Sequence, residues 1–176
     1  PKLDGIRCFA IVEDGEGLLY ARSGKLITNF NDTIGKELLL LGDGCYDGEI
    51  MGKDFIDLMR QAYRKENVDV SDTYLALFDF LPLEEWNSKD AKLTARQRYL
   101  ELATRIGCNF GLRYLRRVNR DVVPAEYDAI KTLHDKYVAE GYEGAMIKDL
   151  DAPYKFGRGP EVMKLKDFHD VDLKVE

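Results

Sequence analysis

The sequence predicts an α+β domain in which antiparallel β-sheets are flanked by helices. Strand-like apolar runs are in the majority, and about four helical-period segments fall between them without the regular alternation of a doubly wound parallel sheet. Neither a G-x-G-x-x-G turn nor a P-loop is present to open such a sheet. At 176 residues a single domain is expected, large enough to bury a core.

In chain order, Phe9–Glu13 and Leu18–Arg22 read as strands joined by the turn Asp14-Gly15-Glu16-Gly17, a hairpin signal. Asn31 or Asp32 can cap a helix running to about Leu41, where Gly42 stops it. Cys45–Met51 is a short strand. Asp54–Lys65 carries Phe55, Leu58, Met59 and Ala62 at helical spacing, with basic residues towards its end. Thr73–Leu81 is the most apolar stretch and predicts a central strand. Thr94 caps a helix through Arg105, ended by Gly107, and Leu112–Val118 is a strand. Pro124 suits the first turn of a helix that reaches Glu140 and closes at Gly141. Ala145–Lys148 and Val162–Lys166 are two further strands, and Val171–Val175 reads as a strand or hinge.

Composition excludes several classes. The longest leucine run, Leu38–Leu41, is far short of a membrane span, and no signal peptide is visible. Cys8, Cys45 and Cys108 form no C-x-x-C pair, and His134 and His169 stand apart, which argues against a zinc site or disulfide framework. Small buried thiols in a reducing cytoplasm are the expectation. The net charge of −6 weighs slightly against nucleic-acid binding, but cationic segments exist at Lys89, Lys92, Arg96 and Arg98 and at Arg113, Arg116, Arg117 and Arg120. Their plain reading is a solvated face.

Charged residues that interrupt apolar strands carry more. A polar group on a buried strand is costly unless a partner or ligand offsets the cost. If Lys2 ends a strand, the Asp4-Gly5 turn brings Lys2, Asp4 and Arg7 towards one pocket. An amine that attacks phosphorus must shed its proton, which neighbouring cations favour. Cations can also hold phosphates, and a carboxylate can hold metal or ribose. Arg22, in Arg22-Ser23-Gly24-Lys25, suits a forked contact with a phosphate or sugar, against the plainer reading of a hairpin-end arginine. Asp47 and Glu49 lie two apart on one strand and point the same way, a pair suited to metal or ribose. Asp79, alone in Leu77–Leu81, needs a partner or ligand. By alternation Phe78 and Phe80 share the face opposite it, and an aromatic at a pocket lip can stack on a purine. Glu143 and Lys148 follow in Glu143-Gly144-Ala145-Met146-Ile147-Lys148. Lys164 and Lys166 place two like charges on one strand face, which fits a bound phosphate.

In this order the segments resemble the nucleotidyltransferase motifs of the covalent lysyl-adenylate family, most closely the ATP-dependent DNA ligases of small bacterial and viral type. KLDGIR (from Lys2) is similar to the first motif, ARSGK (from Ala21) to the second and YDGEI (from Tyr46) to the third. LFDFL (from Leu77) is similar to the aromatic motif, EGYEGAMIKD (from Glu140) to the fourth and VMKLK (from Val162) to the fifth. Tyr154-Lys155-Phe156-Gly157-Arg158-Gly159 is also ligase-like.

The resemblance implies an ATP-grasp-like adenylation domain over residues 1–168. It makes Lys2 the nucleophile that takes AMP from ATP, and Asp4 a residue that orients this chemistry. Arg7 and Arg22 would meet the nucleotide sugar and the nick phosphate, Glu49 the ribose, and Phe78 the adenine. Lys148 would lie close to the nucleotide, and Lys164 and Lys166 would hold the α-phosphate. Asp47 and Glu143 would serve a Mg2+ ion. The implied partners are ATP and nicked duplex DNA, with no membrane, and a monomer is expected.

The same resemblance puts residues 169–176 at the start of a hinge to an OB-fold domain that this sequence does not include. It also expects residues before Lys2 to complete the adenine pocket. The segment alone is therefore expected to adenylate poorly. Alternatives on related chemistry are an mRNA-capping guanylyltransferase, an NAD-dependent ligase and an RNA ligase, whose motifs match less well. A non-catalytic nucleic-acid-binding domain on the same scaffold is the alternative from another class.

Overall fold

The computed structural model describes residues 1–167. The strand or hinge expected at Val171–Val175, and the whole 169–176 segment, lie outside the described residues. Strand β1 (Ile6–Glu13) and β2 (Glu16–Ala21) form the expected hairpin. Its two turn residues, Asp14 and Gly15, both have positive φ (52° and 79°), the geometry whose twist matches a two-residue hairpin. With β3 (Gly44–Met51), β4 (Tyr74–Leu81) and β5 (Leu115–Arg117) they make a five-stranded sheet in the order β2-β1-β3-β4-β5.

The mixed α+β architecture agrees with the sequence reading, except that β4 and β5 are parallel. A helical crossover joins them, and such a connection returns the chain in the same direction.

One sheet face is apolar. Cys8, Ala10 and Val12 of β1, Leu19 of β2, Tyr46 and Ile50 of β3, and Leu75, Leu77 and Phe80 of β4 are all buried in one core with Ile34, Leu38, Leu58 and Leu102. The last four come from the helical segments that cover this face. The expected helix from Asn31 or Asp32 to Leu41 is instead three short pieces: a π-helical turn over Asn31–Gly35, α1 (Lys36–Leu38) and a 3-10 turn over Leu39–Leu41. Neither Asn31 nor Asp32 caps it; Phe30 occupies that position without a side-chain bond. The cause is close packing. A Cβ on Gly17 would lie 2.3 Å from the Gly35 carbonyl oxygen, so helix and hairpin touch backbone to backbone. Gly42 (φ 78°) ends the run as expected.

Helix α2 (Phe55–Tyr63) is capped by Asp54. A short α3 (Leu83–Ser88), absent from the sequence reading, follows Pro82. Helix α4 (Ala95–Gly107) starts at a Thr94–Gln97 capping box, and α5 (Tyr127–Ala139) begins three residues after Pro124. Strands β6 (Ala145–Lys148) and β7 (Val162–Leu165) form a separate antiparallel pair. Lys2 joins this pair by a bridge to Gly144, its N–H donating to the Gly144 carbonyl at 2.7 Å. The chain thus passes beside the small sheet at Lys2 and four residues later begins the large one.

Candidate active site

The polar face of the large sheet begins with one irregularity. The β3–β4 register runs Asp47↔Asp79 and then Gly48↔Leu77, so Phe78 is an extra residue, a β-bulge. The bulge resets the alternation. Phe80 stays in the core, 5.2 Å from the Tyr46 ring. Phe78 turns to the polar face, where the Arg7 guanidinium lies 4.8 Å and the Lys148 amine 5.2 Å from its ring centre. The alternation argument that put Phe78 and Phe80 together opposite Asp79 is therefore corrected: Phe78 and Asp79 share the polar face. Phe80→Ala is expected to cost about 3–5 kcal/mol by emptying a core position. Phe78→Ala, at a half-buried position, is expected to cost under about 1.5 kcal/mol; urea unfolding of the two variants measures the difference.

Two buried carboxylates anchor the floor. Asp47, fully buried, takes a bidentate pair from Arg7 at 2.6 and 2.5 Å and a hydrogen bond from the Tyr154 hydroxyl at 2.9 Å. Asp79 takes the Arg98 fork at 2.7 and 3.2 Å and the Lys148 amine at 2.8 Å. Burial alone would raise the Asp79 carboxyl, but Lys148 and Arg98 beside it outweigh burial and hold it at about 2. For Asp47 burial wins over Arg7, and its carboxyl is raised. Burial likewise lowers the Lys148 amine, only partly opposed by Asp79. Glu49, opposite Arg7 in the β1–β3 ladder, accepts from the Gly5 N–H at 2.7 Å and is raised by burial.

The second wall is the small sheet. Met146 and Lys148 of β6 lie on the same face as Lys164 and Val162 of β7, their ladder partners, and Lys166 follows two residues beyond Lys164. Lys2 Nζ contacts the Glu143 carboxylate, and Lys166 reaches the other oxygen of that carboxylate at 3.5 Å. The bond from Lys2 holds the Glu143 carboxyl below its usual range. Asp4 is exposed on the turn leading into β1, and its charge acts on Glu49. Arg22 is exposed just past the Ala21↔Cys8 pair, at the Arg7 end of the sheet. Lys164 is exposed.

Eight of the residues singled out in the sequence, Lys2, Arg7, Asp47, Glu49, Phe78, Glu143, Lys148 and Lys166, thus stand in a connected group around one cleft. Asp4, Arg22 and Lys164 are exposed, and among the described residues no side-chain hydrogen bond or ion pair ties them to this group.

A Mg2+ ion takes oxygen ligands, typically one or two carboxylates together with phosphate oxygens. Glu143 fits, being a partly exposed carboxylate at the cleft. Asp47 does not fit in this arrangement, because Arg7 and Tyr154 already occupy its oxygens. Among the described residues no cluster of three metal-ligating side chains occurs.

The sequence reading missed three supports. Arg98 neutralises Asp79 from α4. Arg120 donates to the carbonyl of Phe78 and so fastens the bulge. Tyr154 and Phe156, from the β6–β7 connection, stack edge-on, with Phe156 against Trp86 and Trp86 against Phe9. Only the last had a visible signal, in the ligase-like tract from Tyr154. Arg98 and Arg120 read as surface cations because a single sequence does not show which carboxylate or carbonyl each will meet.

A two-sheet fold with cations and carboxylates converging between the sheets defines a nucleotidyltransferase domain. The chain belongs to the ATP-dependent DNA ligase family: a family model described as ATP dependent DNA ligase domain matches residues 1–166. The DNA ligase of African swine fever virus (isolate Pig/Kenya/KEN-50/1950) is 29% identical over 98% of this chain and 42% of its own length. A solved structure named Pmar-Lig_PreS3 superposes with a TM-score of 0.84 and 30% identity, over 94% of this chain and 41% of its own. The ATP-dependent DNA ligase of bacteriophage T7, in complex with ATP, shares the fold at a TM-score of 0.74 and 20% identity, over 94% of this chain and 60% of its own. The chain thus spans less than half the length of the viral relative. The ligase resemblance read from the six motifs is borne out by membership of this ATP-dependent family. No helix among the described residues is long and apolar enough to cross a membrane.

Proposed function

We propose that the protein seals nicks in duplex DNA through an AMP carried on Lys2. The observation that supports this best is the position of the Lys2 amine: it meets the Glu143 carboxylate that Lys166 also reaches beside the small sheet, across the cleft from Arg7, Glu49 and Phe78. In the first step the unprotonated Lys2 nitrogen bonds to the α-phosphorus of ATP. The bond from that phosphorus to the bridging oxygen breaks, pyrophosphate leaves, and the amine's proton passes to solvent. AMP then passes to the 5′-phosphate at the nick, breaking the nitrogen–phosphorus bond. Finally the 3′-hydroxyl attacks that phosphate and AMP departs.

The motif resemblance assigns each side chain a part. Phe78 stacks on adenine and Glu49 binds the ribose, with Asp4 ordering the turn behind Lys2. Lys148, Lys164 and Lys166 offset charge on the α-phosphate, and Arg7 and Arg22 meet the sugar and the nick phosphate. Lys2 must part from Glu143 before it attacks, and Lys166 already touches the same carboxylate and can retain it. Glu143 would hold Mg2+, which when bound supplies charge neutralisation on the phosphate oxygens. The fully paired Asp47 acts instead by fixing Arg7. In this reading residues 1–168 are the catalytic domain of a cytoplasmic monomer, and residues 169–176 lead towards an OB-fold domain.

Incubating the protein, at its natural length, with Mg2+ and adenylate-labelled ATP, guanylate-labelled GTP or adenylate-labelled NAD separates the donors. Label from ATP in clear excess over both others is expected of a member of the ATP-dependent ligase family. Preferential label from GTP would overturn the assignment in favour of capping chemistry.

A further inference from the structure

The polar face of the large sheet does not end at Glu49. Across four strands Arg7 pairs with Glu49, Glu49 with Ala76, and Ala76 with Arg116 of β5. Ladder partners project to one face, so Arg116 stands on the cleft's face of the sheet, at its edge strand. Arg116 is exposed, and its guanidinium lies 3.8 Å from the centre of the Tyr74 ring. Tyr74 is itself the ladder partner of Met51, two residues beyond Glu49. The ring restrains the guanidinium while its N–H groups make no side-chain hydrogen bond among the described residues, a preorganised state suited to phosphate recognition.

Lys53 and Arg113 line the same groove, with Asp72 the one carboxylate on its wall. Among the described residues none of Lys53, Arg113 and Arg116 forms an ion pair. The adenylation chemistry uses none of them.

We propose that this β5 edge is a second phosphate-binding stop for the DNA backbone, in line with the nick phosphate at Arg7. The proposal rests on the nick-sealing reading above. Three strand spacings separate Arg7 from Arg116, about 14 Å, which is the axial rise of about four base steps. One arm of the duplex beside the nick therefore lies across β3 and β4, and its backbone meets Arg116, with Arg113 and Lys53 beside it.

The test titrates nicked duplex DNA against the natural-length protein and its Arg113→Gln/Arg116→Gln variant over a salt series. Covalent labelling by ATP is measured on the same preparations. Labelling should be unchanged, which also shows that the variant folds. The dissociation constant should rise about tenfold near 0.1 M salt, and the slope of log affinity against log salt should fall by about 1 to 2. The difference between the two proteins should vanish when one arm of the duplex, and not the other, is cut to about three base pairs, too short for the span. Unchanged affinity and slope, or a loss indifferent to both truncations, would overturn the proposal. A protein that never takes label but shows the arm-dependent loss keeps the DNA edge and refutes the lysyl-AMP reading. One that labels normally with no loss does the reverse.

Discussion

Lys2→Arg is expected to abolish covalent labelling by ATP, a loss of more than about a thousandfold, while leaving the fold intact. The replacement keeps the positive charge that faces Glu143, so the contact that places the side chain can persist. A guanidinium cannot be deprotonated in a protein, so it has no lone pair with which to attack phosphorus. Stability should change by less than about 0.5 kcal/mol, because a partly exposed ion pair contributes little. Gel labelling with α-labelled ATP beside urea unfolding measures both effects. Lys148, Lys164 and Lys166 are the neighbouring amines, and label persisting in the variant would move the nucleophile to one of them.

Asp79→Ala is expected to destabilise the fold as much as Phe80→Ala does. It removes the anion from between Arg98, whose side chain is 3% exposed, and Lys148, whose side chain is 17% exposed. Two cations are then left without a counter-charge at the floor of the cleft, Arg98 keeping only the Leu93 carbonyl, at a cost of about 3–5 kcal/mol. Adding Arg98→Met should recover part of this by removing one of them.

The same carboxylate makes the fold acid-sensitive. Its value of about 2 in the folded chain lies below the ordinary 3.8. A depressed carboxyl contributes fully above the unfolded value, and the contribution is lost as pH falls from about 4 through about 2. It amounts to about 2 kcal/mol. Urea midpoints between pH 5 and pH 2 should fall less steeply in Asp79→Asn than in the wild type, from a lower starting stability.

Much of the fold was legible because periodicity and turn chemistry agree along most of the chain. Asp14-Gly15 supplies the two positive-φ residues of the hairpin, and Thr94 with Gln97 closes a capping box. The misses have local causes. The stretch from Asn31 to Leu41 has helical composition, but Gly17 against Gly35 admits no regular helix there. The parallel β5 depends on where a crossover returns, which a run of three residues does not encode.

In the site, the acids were legible as breaks in apolar strands, but their uses were not. Asp47 and Glu49 look equivalent in sequence, yet Asp47 is sealed beneath Arg7 and Tyr154 while Glu49, among the described residues, accepts only from the Gly5 backbone. The Phe78 bulge was illegible because strict alternation is assumed until a register is seen, and one extra residue exchanges the two faces. Arg98 is the clearest case of a residue whose role exists only in three dimensions. Nothing around it in the chain marks it as the partner of a carboxylate on a strand 19 residues earlier.

The most direct test of the account is to digest the ATP-treated protein under mildly alkaline conditions, which spare a phosphoramidate, and to locate AMP by mass spectrometry. The account predicts AMP on the side-chain nitrogen of Lys2, removed when excess pyrophosphate drives the step backwards. AMP found on any other residue, or a protein that joins nicks without ever carrying AMP, would contradict it.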